Sequence, residues 1–157
     1  MILYNNNMIP LLARVTIKDK TLDKALSQII EKGFDMDGKL YFLSFFRSVN
    51  LHHDLEHFTD STGFEAFINS FHVEDFTESD YITQGILFLN QMFKVWDKIN
   101  PNHDKVLKGY LSTSGDGAVV KMHLIRPDER YMNEARLDDF EEGVLIITST
   151  AKNFFMR

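Results

Sequence analysis

The stretch that decides the fold lies at residues 77–99 and reads TESDYITQGILFLNQMFKVWDKI. Its apolar residues recur every three or four positions, which is the period of an α-helix. They form two neighbouring stripes: Ile82, Ile86, Leu89, Phe93 and Trp96 in one, and Phe88, Met92, Val95 and Ile99 in the other. A helix that is apolar over so much of its circumference is typically central to the core. With Thr77 as N-cap and Asn100-Pro101 as terminator, we predict one central helix here.

After this helix the sequence changes to the period of a β-strand. Two segments rich in apolar residues, 106–112 and 118–126, flank Ser114-Gly115-Asp116-Gly117, a pattern typical of a β-hairpin. Residues 144–148 (VLIIT) form an unbroken apolar run, as expected of a strand covered on both faces. The sequence therefore predicts an antiparallel sheet in the C-terminal part of the chain.

The N-terminal half is predicted to be mainly helical. Apolar residues at helical spacing favour helices at 21–32 and 62–71, with Thr21 and Thr62 as caps. Residues 40–49 also favour a helix, although their aromatic residues allow a strand, and β-branched residues at 11–18 predict a strand. We therefore expect a single α+β domain over residues 1–157, with N-terminal helices packed on a C-terminal antiparallel sheet.

Composition excludes several classes of protein. The chain has 157 residues, is 44% hydrophobic and contains no Cys, so disulfide scaffolds and cysteine-ligated metal sites are excluded. No run of about 20 apolar residues is present and the first ten residues lack a signal-peptide pattern, so we predict a cytoplasmic protein without a membrane span. The net charge of −6 argues against nucleic acid as the main partner.

The negative charge is concentrated in two segments. The first acidic segment, residues 51–80, has eight acids and no Lys or Arg, and the second acidic segment, residues 128–142, has seven acids and two bases. Both can simply be solvated faces, but a negative surface can also steer a basic partner into place. The candidate partner-binding residues are those of the second acidic segment: Asp128, Glu129, Glu134, Asp138, Asp139, Glu141 and Glu142.

One motif suggests chemistry instead. His53-Asp54-Leu55-Glu56-His57 has the form H-x-x-E-H and resembles the zinc motif of the inverzincin metallopeptidases. The resemblance implies His53 and His57 as zinc ligands and Glu56 as general base. A metal-dependent hydrolase is therefore the alternative function, and the competing interpretation is a short surface helix with polar residues facing water.

In general character, being small, acidic and without a catalytic signature, the chain resembles the immunity proteins of bacterial toxin systems, including contact-dependent growth inhibition. The resemblance implies a protein that is not an enzyme and needs no cofactor or metal. It implies binding to a basic toxin, most simply a nuclease, with Asp138, Asp139, Glu141 and Glu142 in the toxin's phosphate-binding cleft. A domain that self-associates in a structural or regulatory role is the remaining class.

Overall fold

A five-stranded antiparallel sheet organises the protein, in a computed structural model that describes residues 1–151. The strands in these residues are β1 (Ile2–Tyr4), β2 (Phe34–Asp37), β3 (Leu40–Leu43), β4 (Phe71–His72), β5 (Leu107–Ser114), β6 (Gly117–Leu124) and β7 (Val144–Thr148). The main sheet has the order β1-β7-β5-β6-β4, and β2 and β3 form a separate hairpin. The chain's first strand therefore pairs with its last one.

Helices lie mostly in the middle of the chain. They are α1 (Ile9–Leu12), α2 (Lys24–Glu31), α3 (Ser44–Val49), α4 (Ser61–Ile68) and α5 (Tyr81–Ile99). Short 3-10 helices cover Leu55–His57, Val73–Asp75, Glu134–Asp139 and Ser149–Ala151. The α+β class is confirmed, but the predicted division into N-terminal helices and a C-terminal sheet is wrong, because strands occur at both ends. No helix within residues 1–151 is both long and apolar enough to cross a membrane.

The long helix α5 is central to the core, as predicted. Ile86, Phe88, Met92 and Phe93 are fully buried, and Trp96 is nearly so. The helix approaches β5 very closely at Gly109, where an added Cβ would lie 2.7 Å from Leu89 Cδ2. Any larger residue there would force the Leu89 side chain to shift, so Gly109 allows the close approach of α5 to β5.

The predicted start of α5 is wrong. The helix begins at Tyr81 rather than next to Thr77, after Asp80 in a left-handed conformation with φ 54°. The Thr77 hydroxyl instead donates a hydrogen bond to the Asp23 carboxylate, which precedes α2. Thr77 thus ties two helix starts together instead of capping one of them.

The C-terminal hairpin and last strand are confirmed. β5 pairs with β6 from Leu107↔Leu124 to Ser114↔Gly117, and Gly115 in the turn has a φ of 57°. All five residues of β7 are buried. The sheet therefore has two covered faces: α5 packs on one, and a small apolar cluster around Leu137 and Ile146 covers the other.

Two predictions for the N-terminal half are wrong. Residues 11–18 contain no strand, because Pro10 favours the first turn of α1 and the following residues form irregular chain. Residues 40–49 divide into strand β3 and helix α3. The cause is a local hairpin, since β3 pairs with the preceding strand β2 across a tight turn in which Gly38 has a φ of 61°.

The predicted helix caps are also displaced. α2 begins at Lys24, after Asp23, so Thr21 does not cap it. Thr62 lies inside α4, whose N-cap is Asp60: the Asp60 carboxylate accepts a hydrogen bond from Gly63 N at 2.7 Å. Gly33 does end α2, with a φ of 75°.

The buried carboxylate of Glu65 on α4 joins β3 to β6. Glu65 Oε2 accepts a hydrogen bond from Tyr41 N at 2.9 Å, and Oε1 accepts one from Leu124 N at 2.8 Å. Arg126 neutralises the charge with bonds of 2.8 and 2.6 Å to the two oxygens. Because Glu65 is 0% exposed, this pairing is needed to keep an ionised carboxylate in the core.

Asn69, one residue beyond α4, makes the same connection. Its Oδ1 accepts from Leu43 N at 2.8 Å, and its Nδ2 donates to Tyr41 O at 3.1 Å and to Met122 O at 3.4 Å. Glu65 and Asn69, here named the α4 bridge, thus supply the hydrogen bonds that a strand between β3 and β6 would supply.

Candidate partner-binding surface

The second acidic segment crosses the face of the sheet opposite α5. Leu137 packs with Tyr110, Val144 and Ile146, and Tyr131 lies against the same cluster. Residues near the N-terminus hold the segment in place: Asn5 Nδ2 donates to Leu137 O at 3.0 Å and to Glu142 O at 2.8 Å. The segment is therefore an ordered cover of the sheet and not a loose loop.

Three of the seven predicted partner-binding carboxylates are used by the fold. Glu129 accepts a hydrogen bond from Thr62 N at 2.8 Å, at the start of α4. Glu134 forms an ion pair with Lys108 on β5. Asp138 accepts a hydrogen bond from Asn6 N at 2.7 Å. These contacts give Glu129, Glu134 and Asp138 a structural role that the sequence did not indicate.

The other four predicted residues face solvent. Asp139 pairs with Arg136 at 2.5 Å, but both side chains are more than half exposed, so the pair adds little stability. The carboxylates of Asp128, Glu141 and Glu142 are exposed and make no hydrogen bond or ion pair with any other part of residues 1–151. Unpaired carboxylates of this kind are available to a basic partner.

A cleft of about 600 Å³ lies beside Glu142, over the part of the sheet that the segment leaves open. Its lining includes Tyr110, Tyr131, Phe140 and Glu142. Phe140 is 37% exposed although it is aromatic, and Tyr131 is half-buried. Aromatic side chains next to exposed acids form the kind of surface on which a protein partner can place an Arg or Lys.

A tyrosine–histidine pair lies beneath the segment. Tyr110 Oη and His123 Nε2 are 2.8 Å apart, and His123 Nδ1 is 2.7 Å from Leu124 O. Because a carbonyl oxygen only accepts, Nδ1 carries the proton and Nε2 accepts from the tyrosine hydroxyl. Burial lowers the pKa of His123 and raises that of Tyr110, so both are neutral near pH 7. The pair therefore lies buried between the sheet and the second acidic segment, with His123 4% exposed.

The two acidic segments meet at the start of α4, where Glu129 accepts from Thr62 N. Arg126 lies at the same place: burial lowers its pKa, but the bond to Glu65 and the charges of Glu65, Glu129 and Asp60 outweigh burial, so the net pKa is raised. Part of the negative charge of both segments is therefore compensated locally at this junction.

The H-x-x-E-H motif does not form the helix that its zinc interpretation needs. His53 precedes the 3-10 helix Leu55–His57, and Asp54 caps that helix. The His53 ring packs against Phe67 with ring centres 4.9 Å apart. Across residues 1–151 no group of three His, Cys, Asp or Glu side chains is placed to hold a metal ion.

The fold and this surface define a small α+β protein with an acidic cover over one sheet face. The chain belongs to the family described as "Uncharacterized protein PM0498 family", whose model matches residues 3–155. A relative, "Uncharacterized protein PM0498" of Pasteurella multocida (strain Pm70), is 25% identical over 119 residues, which are 71% of this chain and 75% of the relative. No solved structure matches the chain.

Proposed function

We propose that this protein binds a basic partner protein through the exposed acids of its second acidic segment. The partner is most simply a toxin domain, such as a nuclease, and this chain acts in the cytoplasm as its immunity protein. The observation that carries the proposal is the set of unpaired, exposed carboxylates of Asp128, Glu141 and Glu142 on an ordered cover. Since the fold does not use these carboxylates, they are free to pair with basic side chains of a partner.

The binding surface that we assign is narrower than the whole segment. Asp128, Asp139, Glu141 and Glu142 are its charged members, since Glu129, Glu134 and Asp138 are already bonded within the fold. The cleft beside Phe140 supplies the apolar centre that charged surfaces alone lack. A partner that buries Phe140 and excludes water around it gains more than from exposed ion pairs alone.

The charge also shapes the kinetics of binding. A negative surface attracts a basic cleft before contact, which raises the association rate at low salt. Once bound, the carboxylates occupy the positions of nucleic-acid phosphates and exclude the nucleic acid sterically. Such a mechanism needs no catalytic group on this chain, and it gives an affinity that falls as salt is raised.

The test compares two triple charge reversals. D128K/E141K/E142K removes the proposed surface, and E56K/D75K/E78K is the matched control, because it changes the same charge at three exposed acids of the first acidic segment. A basic protein that copurifies with the native chain is purified and titrated with each variant at low and high salt. We expect the first variant to lose at least 100-fold in affinity and the control less than about fivefold. Equal losses in both variants would show that only net charge matters.

A further inference from the structure

A second cleft lies on the other side of the sheet, between α2 and α5. Its volume is about 640 Å³, within the range of small-molecule sites, and it is open to solvent. Half-buried and buried apolar side chains line part of it, among them Leu22, Ile30 and Leu87. This cleft is separate from the acidic surface, so a ligand site in it does not depend on the proposed function.

The lining of this cleft includes a buried amide without a hydrogen-bond partner. Asn90 on α5 is 4% exposed, and neither its Nδ2 nor its Oδ1 has a partner anywhere in residues 1–151. Leaving buried polar atoms unpaired destabilises a fold. The other buried amide side chains all have partners: Asn5, Asn69, Gln84 and Asn100. Asn90 is therefore a polar group that the fold itself does not explain.

The lining of the cleft is net basic in an acidic protein, with three lysines and one acid, Glu31. The lysines are Lys20, Lys94 and Lys98, all three are exposed, and none forms an ion pair within the described part of the chain. Asn90, Lys94 and Lys98 follow each other at intervals of four residues on one face of α5. Each interval advances about 6 Å along the helix axis. The cleft thus has an unpaired amide buried in its wall and positive charge one and two turns away along α5.

We propose that this cleft binds a mononucleotide, with an adenine base on Asn90 and the phosphate on Lys94 and Lys98. An Asn side chain has one donor and one acceptor side by side, and this pair matches the N6 and N7 edge of adenine. Lysines bind phosphate as point charges, and the apolar lining accommodates the faces of the base. Small rotamer changes of the lining side chains, which are common on binding, bring the amide into reach.

The test measures binding of AMP, adenosine, ribose 5-phosphate and inorganic phosphate to the full chain by calorimetry. We expect AMP to bind at least tenfold more tightly than either adenosine or inorganic phosphate, because only AMP engages both parts of the cleft. The surface variant K94E/K98E should fold normally, lose AMP binding at least tenfold and leave adenosine binding unchanged. The control variant is K18E/K24E, because both lysines are exposed and lie outside the cleft lining. K105E/K121E is less suitable, because both of its lysines already have side-chain partners.

A variant of Asn90 separates the ligand role from a packing role. N90L removes the amide at similar volume, and we expect a melting temperature equal to or above that of the native chain together with loss of the preference for AMP over ribose 5-phosphate. The proposal is overturned if AMP binds no more tightly than inorganic phosphate, or if folded N90L keeps that preference. If N90L does not fold, K94E/K98E decides: unchanged AMP affinity in that variant rejects the site. Partner binding through the acidic surface is unaffected by either result.

Discussion

The two acidic segments look alike in sequence but serve the fold differently. In the first, three of the eight acids accept hydrogen bonds from the backbone through their side chains: Asp60, Glu65 and Glu74. In the second, Asp128, Glu141 and Glu142 have no side-chain partner in residues 1–151, although the backbone carbonyls of Glu141 and Glu142 accept from Asn7 and Asn5. Both segments thus use some carboxylates for folding and leave others exposed, but only the first segment places a carboxylate fully inside the core, at Glu65.

This difference shows that the number of acids in a segment does not indicate which of their carboxylates stabilise the fold. A carboxylate contributes to folding only where donors converge on it, as at Glu65, and those donors come from distant parts of the chain. Exposed carboxylates contribute almost nothing to stability but remain available to another molecule. Substitutions at matched acids in the two segments test this division directly.

The largest effect is expected for Glu65→Ala. It leaves the Arg126 charge and the N–H groups of Tyr41 and Leu124 without their acceptor, so we expect the free energy of unfolding to fall by about 3–5 kcal/mol. Urea denaturation measures the loss. Glu56→Ala, at an exposed acid of the same segment, should change stability by less than about 0.5 kcal/mol. A small effect at Glu65 would mean that the α4 bridge does not stabilise the fold.

A moderate effect is expected for Asp60→Ala at the N-cap of α4. The substitution removes the acceptor for Gly63 N and should cost about 1 kcal/mol, within the range of 0.5–2 kcal/mol seen for N-caps. Thermal melts compare it with Asp60→Asn, which keeps a capping oxygen and should lose less. Equal losses in the two variants would point to the charge of Asp60 near Arg126 instead of the hydrogen bond.

A smaller, pH-dependent effect is expected for Glu129→Gln. Partial burial raises the pKa of the Glu129 carboxyl, but hydrogen bonds from Thr62 and the Arg126 charge outweigh it, so the net pKa is lowered. A lowered pKa stabilises the fold at pH values above the unfolded pKa of about 4.3, and this stabilisation is lost as the pH falls through the folded pKa. The native chain should therefore be more stable than Glu129→Gln at pH 7 and equal to it in strong acid.

The control for this pH series comes from the same segment. Glu142→Gln removes an exposed carboxyl without a partner, so its denaturation midpoint should follow that of the native chain at every pH. A difference between native and Glu129→Gln that persists unchanged in strong acid would assign the effect to packing and not to charge.

The smallest effect on stability is expected for D128K/E141K/E142K. These acids are exposed and unpaired within the described chain, so the free energy of unfolding should change by no more than about 0.5 kcal/mol per site. Circular dichroism melts of the free protein measure this change in stability and need no partner. A variant that unfolds would show that Asp128, Glu141 and Glu142 also contribute to the fold.

Elements with a long, unbroken period could be predicted from the sequence. α5 carries two apolar stripes over 19 residues, and the hairpin has a glycine turn between two strands of eight residues. The periodicity of apolar residues failed as a predictor where pairing or packing with another segment decides the secondary structure. Residues 40–43 become a strand because β2 pairs with them, and Val15 and Ile17 pack on the core from irregular chain.

The sequence predicted the candidate partner-binding surface only as a segment, and not which of its acids are free. Sequence indicates that residues 128–142 are acidic, but it does not indicate that Asp138 receives a hydrogen bond from Asn6, 132 positions away. Nor does it show that the second segment covers the sheet and buries His123. Asn5 is the residue most clearly missed, because an isolated Asn near the N-terminus carries no signal of the bonds that hold the segment in place.

The α4 bridge also bears on how this chain behaves in a crowded solution. A strand whose N–H and C=O groups are unpaired along one side invites strands from other molecules, and this is a common start of aggregation. β4 covers only Val119 and Val120 of β6, so the rest of that side depends on other groups. Glu65 and Asn69 occupy Leu124 N and Met122 O there, and they occupy the backbone of β3 as well. Glu65 on α4 and Asn69 just after it thereby occupy backbone groups on two strand edges that would otherwise be open to a strand of another molecule.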